Sequence, residues 1–176
     1  MNNLSGITYL TETTSTMDEM KSLARNGAKD GEVVVAEKQT SGRGRQGRSW
    51  FADEESLTFS ILYRPQERAI DVAEWTTKAG QAVAKGITQV VKVPVRLEWP
   101  NDLIVDNEKI GGILIESASQ GQSIDYIVVG VGINVNNSNF PDPIKQSASS
   151  LKQKAGKEID KKVLLFAVIK ELRRLK

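Results

Sequence analysis

The sequence of 176 residues contains no cysteine and no histidine. The lack of cysteine excludes disulfides, zinc–thiolate sites, iron–sulfur clusters and thiol nucleophiles. The lack of histidine removes the Ser-His-Asp triad, the commonest general base and most transition-metal sites. Any chemistry must therefore rely on lysine, arginine, carboxylates, backbone amides or a hard cation.

An excess of charge of one sign and long apolar runs are absent as well. Lysine plus arginine number 24 and aspartate plus glutamate 22, so the net charge is only +2. Whole-chain charge therefore gives no case for a nucleic-acid or membrane partner, and we expect neither. No run of about 18 apolar residues occurs, and the first residues lack the basic and apolar blocks of a signal peptide. These features predict a cytoplasmic protein.

The composition that is present is typical of a globular protein. Hydrophobic residues make up 39% and charged residues 26%, with 14 glycines and 5 prolines. These values argue against disorder, collagen and coiled coil. The length fits a single domain, which we expect to span residues 1–176.

The order of predicted helices and strands favours an α+β fold with a mixed, largely antiparallel sheet and helices packed on one side. Ser15 is a candidate helix N-cap, with Asp18 or Glu19 returning the capping-box bond. Residues 71–91 have the apolar periodicity of a long amphipathic helix. The other predicted elements are strands at 33–36, 57–63, 95–99, 103–105, 109–116 and 126–135, a turn at 106–108, and helices at 149–154 and 160–176.

The segment 42–50 is the most distinctive part of the sequence, with three glycines and three arginines in its first seven residues. Glycine lets a backbone approach an anion closely, and arginine supplies forked donors for carboxylate or phosphate. A P-loop would have to open a helix, and no helical apolar pattern follows Trp50. One short Gly-Arg copy in a nearly neutral chain is weak support for RNA binding. A plain solvated loop explains poorly why three positive charges are crowded together.

Two segments at strand ends offer further polar groups. Pro100 ends a predicted strand, and Asn101 and Asp102 then present an amide and a carboxylate, although an ordinary turn fits them equally well. Paired glycines at 111–112 weaken a strand unless a ligand or another backbone comes close. Lys109 stands just before them and could place one ammonium over that ligand.

A third segment begins at Gly130-Val131-Gly132 like a dinucleotide-binding motif. The third glycine of that motif is missing and no helix follows, so this interpretation is weak. The Asn134 amide offers both a donor and an acceptor, which could bind the edge of a base.

Five motifs in this order resemble the catalytic domain of biotin protein ligases, from about Ile7 to the C-terminus. The motifs are Ser15-Thr16, Gln39 with 42–50, Trp99-Pro100-Asn101-Asp102-Leu103, Lys109-Ile110-Gly111-Gly112-Ile113-Leu114-Ile115-Glu116, and Gly130-Val131-Gly132-Ile133-Asn134-Val135. The resemblance implies a class II synthetase or biotin–lipoyl ligase-like fold. It also implies that biotin and MgATP give biotinyl-5′-AMP, from which biotin passes to a lysine of a biotin carboxyl carrier domain.

The resemblance also implies a role for each matching residue. Lys109 and Arg45 are the expected catalytic groups, and Asp102 is a possible Mg²⁺ ligand. The expected biotin-binding residues are Ser15, Thr16, Gln39, Gly42, Arg43, Gly44, Arg45, Lys109 and Gly112. The expected ATP- and adenylate-binding residues are Arg43, Arg45, Arg48, Trp50, Asn101, Asp102 and Asn134.

Two residues depart from the family pattern. Met17 stands where an asparagine commonly follows Ser-Thr, so one polar contact near the ligand is absent. Glu98 stands where a lysine commonly precedes Trp-Pro-Asn-Asp, and a carboxylate there should weaken ATP binding unless it points away. The two departures leave a non-catalytic biotin-binding protein open as an alternative. A lipoate or octanoyl ligase-transferase, which shares the fold, is a second alternative.

The resemblance also bears on domains and assembly. We expect no N-terminal DNA-binding domain and no small C-terminal β-barrel domain within these 176 residues. The chain is then either a single-domain variant or a shortened one. Because relatives often join their sheets edge to edge, a homodimer is a further expectation.

Overall fold

The computed structural model describes residues 6–65, 71–120 and 123–175. Its centre is one seven-stranded sheet in the order β1-β2-β3-β7-β6-β5-β4. Strands β1 and β2 are parallel, and the other neighbouring strands pair antiparallel. The strands are β1 Ile7–Thr13, β2 Val33–Gln39, β3 Ser56–Tyr63, β4 Arg96–Glu98, β5 Asp102–Val105, β6 Glu108–Gln120 and β7 Ser123–Asn134; the helices are α1 Thr16–Arg25, α2 Val72–Val91, α3 Leu151–Ala155 and α4 Lys161–Leu172.

The central strands are largely buried because the sheet is covered on both faces. On one face the α2 and α4 helices pack over alternate residues of the central strands, among them Phe59, Ile61 and Val129. On the other face α1 packs over Val34 and Leu62. The predicted mixed, largely antiparallel α+β sheet is confirmed, but the expectation that the helices pack on one side is wrong. The sequence patterns identify the strands but do not show whether one or both faces of the sheet are covered by helices.

The local signals at the start of α1 are partly confirmed. Ser15 is the N-cap, and its hydroxyl accepts a hydrogen bond from the Met17 backbone NH at 3.3 Å. The two acidic residues of the first turn do not form the expected capping box and bond other residues. Asp18 bonds Arg43, and Glu19 accepts from the Thr13 hydroxyl at 2.7 Å.

The hairpin of β5 and β6 determines the face of the sheet on which Lys109 lies. Asp106 and Asn107 both have positive φ, as a two-residue hairpin turn requires. Further along, Ile104 pairs with Lys109 whereas Leu103 pairs with Gly111, so β6 carries one extra residue at 110. A bulge of this kind turns a side chain to the opposite face. Lys109 therefore shares the α1 face with Gly112 instead of facing the main core.

The strand β1 is an element that the sequence patterns did not predict, and several predicted elements differ in length. The last helix ends at Leu172 rather than at residue 176, which lies outside the described residues. Predicted strand 33–36 extends to Gln39, and predicted strand 95–99 is reduced to Arg96–Glu98. None of the helices in the described ranges has the length and apolar character needed to cross a membrane.

Candidate active site

The candidate active site is a cavity of about 820 Å³ on the α1 face of the sheet. Because α1 packs on β2, β3 and β7, it leaves the part of that face over β6 and β5 uncovered. Segment 42–50 and the turn at 98–102 form walls of the cavity. A volume of this size is typical of small-molecule sites in proteins.

Three glycines form much of the cavity floor because they carry no side chain to fill it. A Cβ added to Gly130 would lie 2.6 Å from the Met17 sulfur, and one on Gly132 would lie 2.5 Å from the Trp50 indole. The same atom on Gly112 would meet nothing closer than 3.7 Å. Met17 and Trp50 thus rest directly on the floor, while Gly112 keeps its part of the floor open.

Uncharged donors and acceptors lie on the β3 side of the cavity. Both the backbone NH and the hydroxyl of Thr16 donate to Gln39 Oε1, at 2.8 and 3.1 Å. The buried Ser60 hydroxyl donates to the Thr16 hydroxyl at 2.9 Å and fixes its orientation. Since Thr16 occupies the amide oxygen of Gln39, the amide nitrogen is left to donate to a ligand.

Cationic groups lie on the β5–β6 side. The Lys109 ammonium is 2.7 Å from Asp102 Oδ1. Arg45 Nη1 donates to Asn101 Oδ1 at 3.4 Å, and the Asn101 amide is itself held by the Ile113 carbonyl at 3.1 Å. Such a group of cations next to a carboxylate can hold phosphates and a ligand carboxylate together.

Segment 42–50 folds back on itself as a closed loop. The Trp50 backbone NH donates to the Gly42 carbonyl at 2.9 Å, and the Gly44 NH donates to the Arg48 carbonyl at 2.7 Å. A short 3₁₀ turn, Arg45–Gly47, forms the tip between them. No helix follows, which agrees with the rejection of a P-loop. Arg48 has no side-chain partner among the described residues, so its charge is available to a ligand.

Arg43 forms a β-bridge with Ser49, and these two residues are the neck of the loop. Arg43 is also bound to helix α1. Its two terminal nitrogens lie 2.7 and 2.6 Å from the two Asp18 carboxylate oxygens. The hydrogen bond from Arg43, together with Lys21 and against partial burial, lowers the pKa of the Asp18 carboxyl to about 2. Asp18 therefore stays ionised at all physiological pH values.

The structure brings together all but two of the residues that the sequence singled out. The cavity is lined by Ser15, Thr16, Gln39, Arg43, Gly44, Arg45, Arg48, Trp50, Asn101, Asp102, Lys109 and Gly112. Gly42 closes the neck of the loop, where a Cβ would lie 2.7 Å from the Trp50 carbonyl. Asn134 is buried behind the cavity, and its amide donates to the Ser149 carbonyl at 3.0 Å.

Sequence reasoning missed some of the lining residues. Thr58 lines the cavity, and the small polar residues at positions 56, 58 and 60 alternate with apolar ones, a signal that could have identified this face of β3. Ile144 and Ser147 also line it, from the loop after β7. Nothing in that polar loop distinguishes these two residues before the chain is folded.

The two departures from the family pattern both lie at the cavity. Met17 is buried against Gly130 and belongs to the small core under α1. Glu98 lines the cavity wall, and Arg96 Nη1 donates to its carboxylate at 3.0 Å. The Glu98 charge is thus partly neutralised but still faces the site.

The acidic residues at the cavity can be tested against Mg²⁺. Within residues 6–65, 71–120 and 123–175 there is no cluster of three acidic residues that could hold a metal ion. Mg²⁺ at nucleotide sites is held by one or two carboxylates together with the substrate's phosphates. Asp102, about one-third exposed on the cavity wall, fits that mode.

The fold and this cavity have counterparts in a known protein family. Residues 8–134 match the model of the Biotin/lipoate A/B protein ligase family. The chain belongs to this family.

The curated relatives that the chain resembles are named as ligases. The chain is 37% identical over 150 residues to the bifunctional ligase/repressor BirA of Bacillus subtilis, covering 84% of this chain and 46% of that protein. It is 35% identical over 146 residues to the biotin–[acetyl-CoA-carboxylase] ligase of Mycobacterium tuberculosis, covering 80% and 52%. The chain thus spans about half the length of the curated relatives it matches.

A solved structure shows the same fold. The biotin protein ligase from Aquifex aeolicus in complex with biotin and ATP matches with a TM-score of 0.83 and 33% sequence identity. The match covers 96% of this chain and 69% of that one. The expected biotin–lipoyl ligase-like fold is therefore confirmed.

Proposed function

We propose that this domain activates biotin with ATP to biotinyl-5′-AMP and then transfers the biotin to a lysine of a biotin carboxyl carrier domain. The observation that carries the proposal is the polarity of the cavity. Uncharged donors of Thr16 and Gln39 lie on the β3 side, and Lys109 and Arg45 lie on the β5 side. Gln39 belongs to β2 and Lys109 to β6, and these two strands are three steps apart in the sheet, about 14 Å. This spacing suits a ligand with an uncharged ring system at one end and a carboxylate at the other.

In the first step, a carboxylate oxygen of biotin attacks the α-phosphorus of ATP. The new O–P bond forms while the bond to the β-phosphate breaks, and pyrophosphate leaves. Both reactants are anions, so the site must bring them together and stabilise the charge that develops. Lys109 contacts the biotin carboxylate and the α-phosphate, while Arg45 and Arg48 bind the phosphates. Mg²⁺ held by Asp102 and the phosphates would neutralise part of the triphosphate charge.

The remaining lining residues hold the two ends of the ligand. Ser15, Thr16 and Gln39 provide hydrogen bonds for the ureido ring of biotin. The indole of Trp50, which rests against the floor at Gly132, offers a face on which adenine stacks. Met17 provides an apolar wall beside Gly130.

In the second step, the amine of the carrier lysine attacks the acyl carbon of the mixed anhydride. The C–N bond forms, the C–O bond to the phosphate breaks, AMP leaves, and the amine gives a proton to solvent. Neither step requires histidine or cysteine, which agrees with the composition. The Arg45 contact with Asn101 places the loop tip over the cavity, where it limits access of water to the anhydride.

Pyrophosphate release tests this function directly. The purified chain is incubated with MgATP and either biotin or lipoate, and the same reactions are repeated with a carboxyl carrier domain. With biotin and MgATP, we expect pyrophosphate release even without the carrier domain, and biotinylation of the carrier lysine when the domain is present. Release with lipoate but not biotin would indicate a lipoate or octanoyl ligase-transferase. Biotin binding without release would indicate a non-catalytic biotin-binding protein, and either result contradicts the proposal.

The homodimer and the cytoplasmic location are further parts of the proposal. Strands β1 and β4 form the two edges of the described sheet. An edge of this kind offers unpaired backbone groups to a second copy of the sheet. Sedimentation velocity over a range of concentrations, with and without biotin and MgATP, tests for the dimer.

A further inference from the structure

A chain of ion pairs connects the arginine loop to helix α1 and to the sheet. Asp18 accepts both terminal nitrogens of Arg43, at 2.7 and 2.6 Å. The same carboxylate is 3.0 Å from the Lys21 ammonium, which in turn is 2.6 Å from Glu116 of β6. The loop, the helix and the sheet are therefore held by one connected set of charges.

Because of the position of Arg43, its contact with Asp18 restrains the whole of segment 42–50. Arg43 forms a β-bridge with Ser49, so these two residues are the neck from which the tip projects. Beyond the neck, the tip carries Arg45 and Arg48. Within the described residues, the tip's own side-chain bond to the far wall is the long 3.4 Å contact of Arg45 with Asn101.

The geometry of the pair distinguishes it from an ordinary surface ion pair. Exposed ion pairs contribute little unless they are bidentate or belong to a network, and this pair is both. Asp18 also lies within one helical turn of Ser15 and Thr16, which line the cavity. The pair therefore fixes the loop relative to the residues that bind the ligand.

We propose that Asp18 is a positioning residue that, through Arg43, holds segment 42–50 closed over the bound adenylate. The proposal rests on the proposed function, because the closed loop retains the adenylate between the two steps. The Arg43 guanidinium is engaged by Asp18, so its task is to anchor the loop, and the phosphates are left to Arg45 and Arg48. Arg45 and Arg48 are already exposed, but the folded loop keeps their backbone from entering a protease site. Loss of the anchor lets the loop open more often, which makes the tip cleavable and releases the adenylate before transfer.

The test compares Asp18→Asn with Glu19→Gln. Both substitutions remove one negative charge from the first turn of α1, but Glu19 bonds Thr13 and not the loop. Trypsin cleavage after Arg45 and Arg48 measures loop opening in the intact chain without any requirement for activity. The release rate of biotinyl-adenylate, and the KM for biotin against kcat for adenylation, measure the functional consequence.

We expect Asp18→Asn to raise the cleavage rate and the adenylate release rate about fivefold or more, with kcat for adenylation little changed. Glu19→Gln should match the wild type, and Asp18→Glu should restore most of the protection. Arg43→Lys keeps the charge but loses the fork and leaves the helix untouched, so trypsin should cleave its loop about as fast as that of Asp18→Asn.

Two results would overturn the proposal. One is wild-type cleavage and release in both Asp18→Asn and Arg43→Lys; the other is equal loosening by Glu19→Gln, which would point to the charge of the helix end. If the wild type forms no adenylate, the proposed function fails, whereas the trypsin comparison still decides whether Asp18 anchors the loop.

Discussion

The Lys109 ammonium lies 2.7 Å from the Asp102 carboxylate, on the cavity side of the β5–β6 hairpin. The pair exists because the extra residue Ile110 turns Lys109 to the face that Gly112 occupies. Both side chains are about one-third exposed, so the pair itself contributes little to stability. Its consequence is a cation and a potential Mg²⁺ ligand held side by side where the ligand carboxylate and phosphates are expected.

Replacement of Lys109 by alanine should impair adenylation far more than folding. The loss of a charge-assisted hydrogen bond costs about 1.5–3 kcal/mol, or about ten- to a hundredfold in rate or affinity. The measurement is kcat/KM for pyrophosphate release together with the melting temperature. Lys38→Ala removes a comparable Lys–carboxylate pair, with Glu12, and should leave both values unchanged. Wild-type adenylation in Lys109→Ala would refute the assignment.

Two neighbouring glycines should respond differently to alanine. A Cβ on Gly111 would lie 2.7 Å from the Gly132 carbonyl oxygen, so the paired strands must shift. Gly111→Ala should therefore lower the free energy of unfolding by about 1–3 kcal/mol. A Cβ on Gly112 meets nothing closer than 3.7 Å and enters the cavity.

Gly112→Ala should accordingly keep the wild-type stability within about 0.5 kcal/mol and weaken ligand binding about tenfold. Urea unfolding and calorimetric titration with biotin separate the two effects. Equal stability losses in the two variants would mean that the floor of the cavity is placed incorrectly.

Glu98 offers a test of the charge at the nucleotide end. Its carboxylate lines the cavity and is only partly neutralised by Arg96. Glu98→Lys should lower the KM for ATP about three- to tenfold at low salt, with a smaller effect at high salt. Glu74→Lys makes the same charge change on α2, in another exposed pair. No difference between the two variants would show that Glu98 does not face the triphosphate.

The contact between α2 and α4 predicts a stability that depends on pH. Glu171 is buried and accepts from Lys85 at 2.8 Å, from Gln89 at 3.2 Å and from Arg174 at 2.7 Å. The hydrogen bond from Lys85 is the main cause that lowers the pKa of this carboxyl from 4.5 to about 2. A pKa lowered by folding means that the stabilisation is complete above about pH 4.5 and is lost as the pH falls toward 2.

Glu171→Gln should cost about 1–3 kcal/mol at neutral pH and flatten the loss of stability between pH 4.5 and 2. Unfolding curves over that pH range measure both effects. Glu74→Gln, on an exposed pair, is the matched control. An unchanged slope in Glu171→Gln would assign the acid sensitivity to other carboxyl groups.

Much of the fold could be predicted because its signals are local. Ser15 caps α1, residues 72–91 are helical, and the Asp106-Asn107 turn joins two strands, as the sequence patterns indicate. Strand β1 was not predicted because it is an edge strand whose residues are mostly half-buried or exposed, Tyr9 among them. Its pairing with β2 is a tertiary effect that strand patterns alone do not encode.

The candidate site was predictable in its residue types but not in its partners. Glycine and arginine content identified segment 42–50, yet no sequence pattern connects Arg43 with Asp18, 25 residues earlier. The alternation of β6 would place Lys109 on the core face, and the bulge at Ile110 reverses this. Such pairings depend on register and on long-range packing, which one sequence does not reveal.

Mass spectrometry for biotinyl-5′-AMP is the most direct test of the central claim. The chain is incubated with equal concentrations of biotin and lipoate in the presence of MgATP, and the protein-bound and free small molecules are then analysed. We predict biotinyl-adenylate with release of pyrophosphate, a much smaller amount in Lys109→Ala, and no lipoyl-adenylate. Formation of lipoyl-adenylate instead, or the absence of any adenylate from a folded chain that binds ATP, would contradict the account.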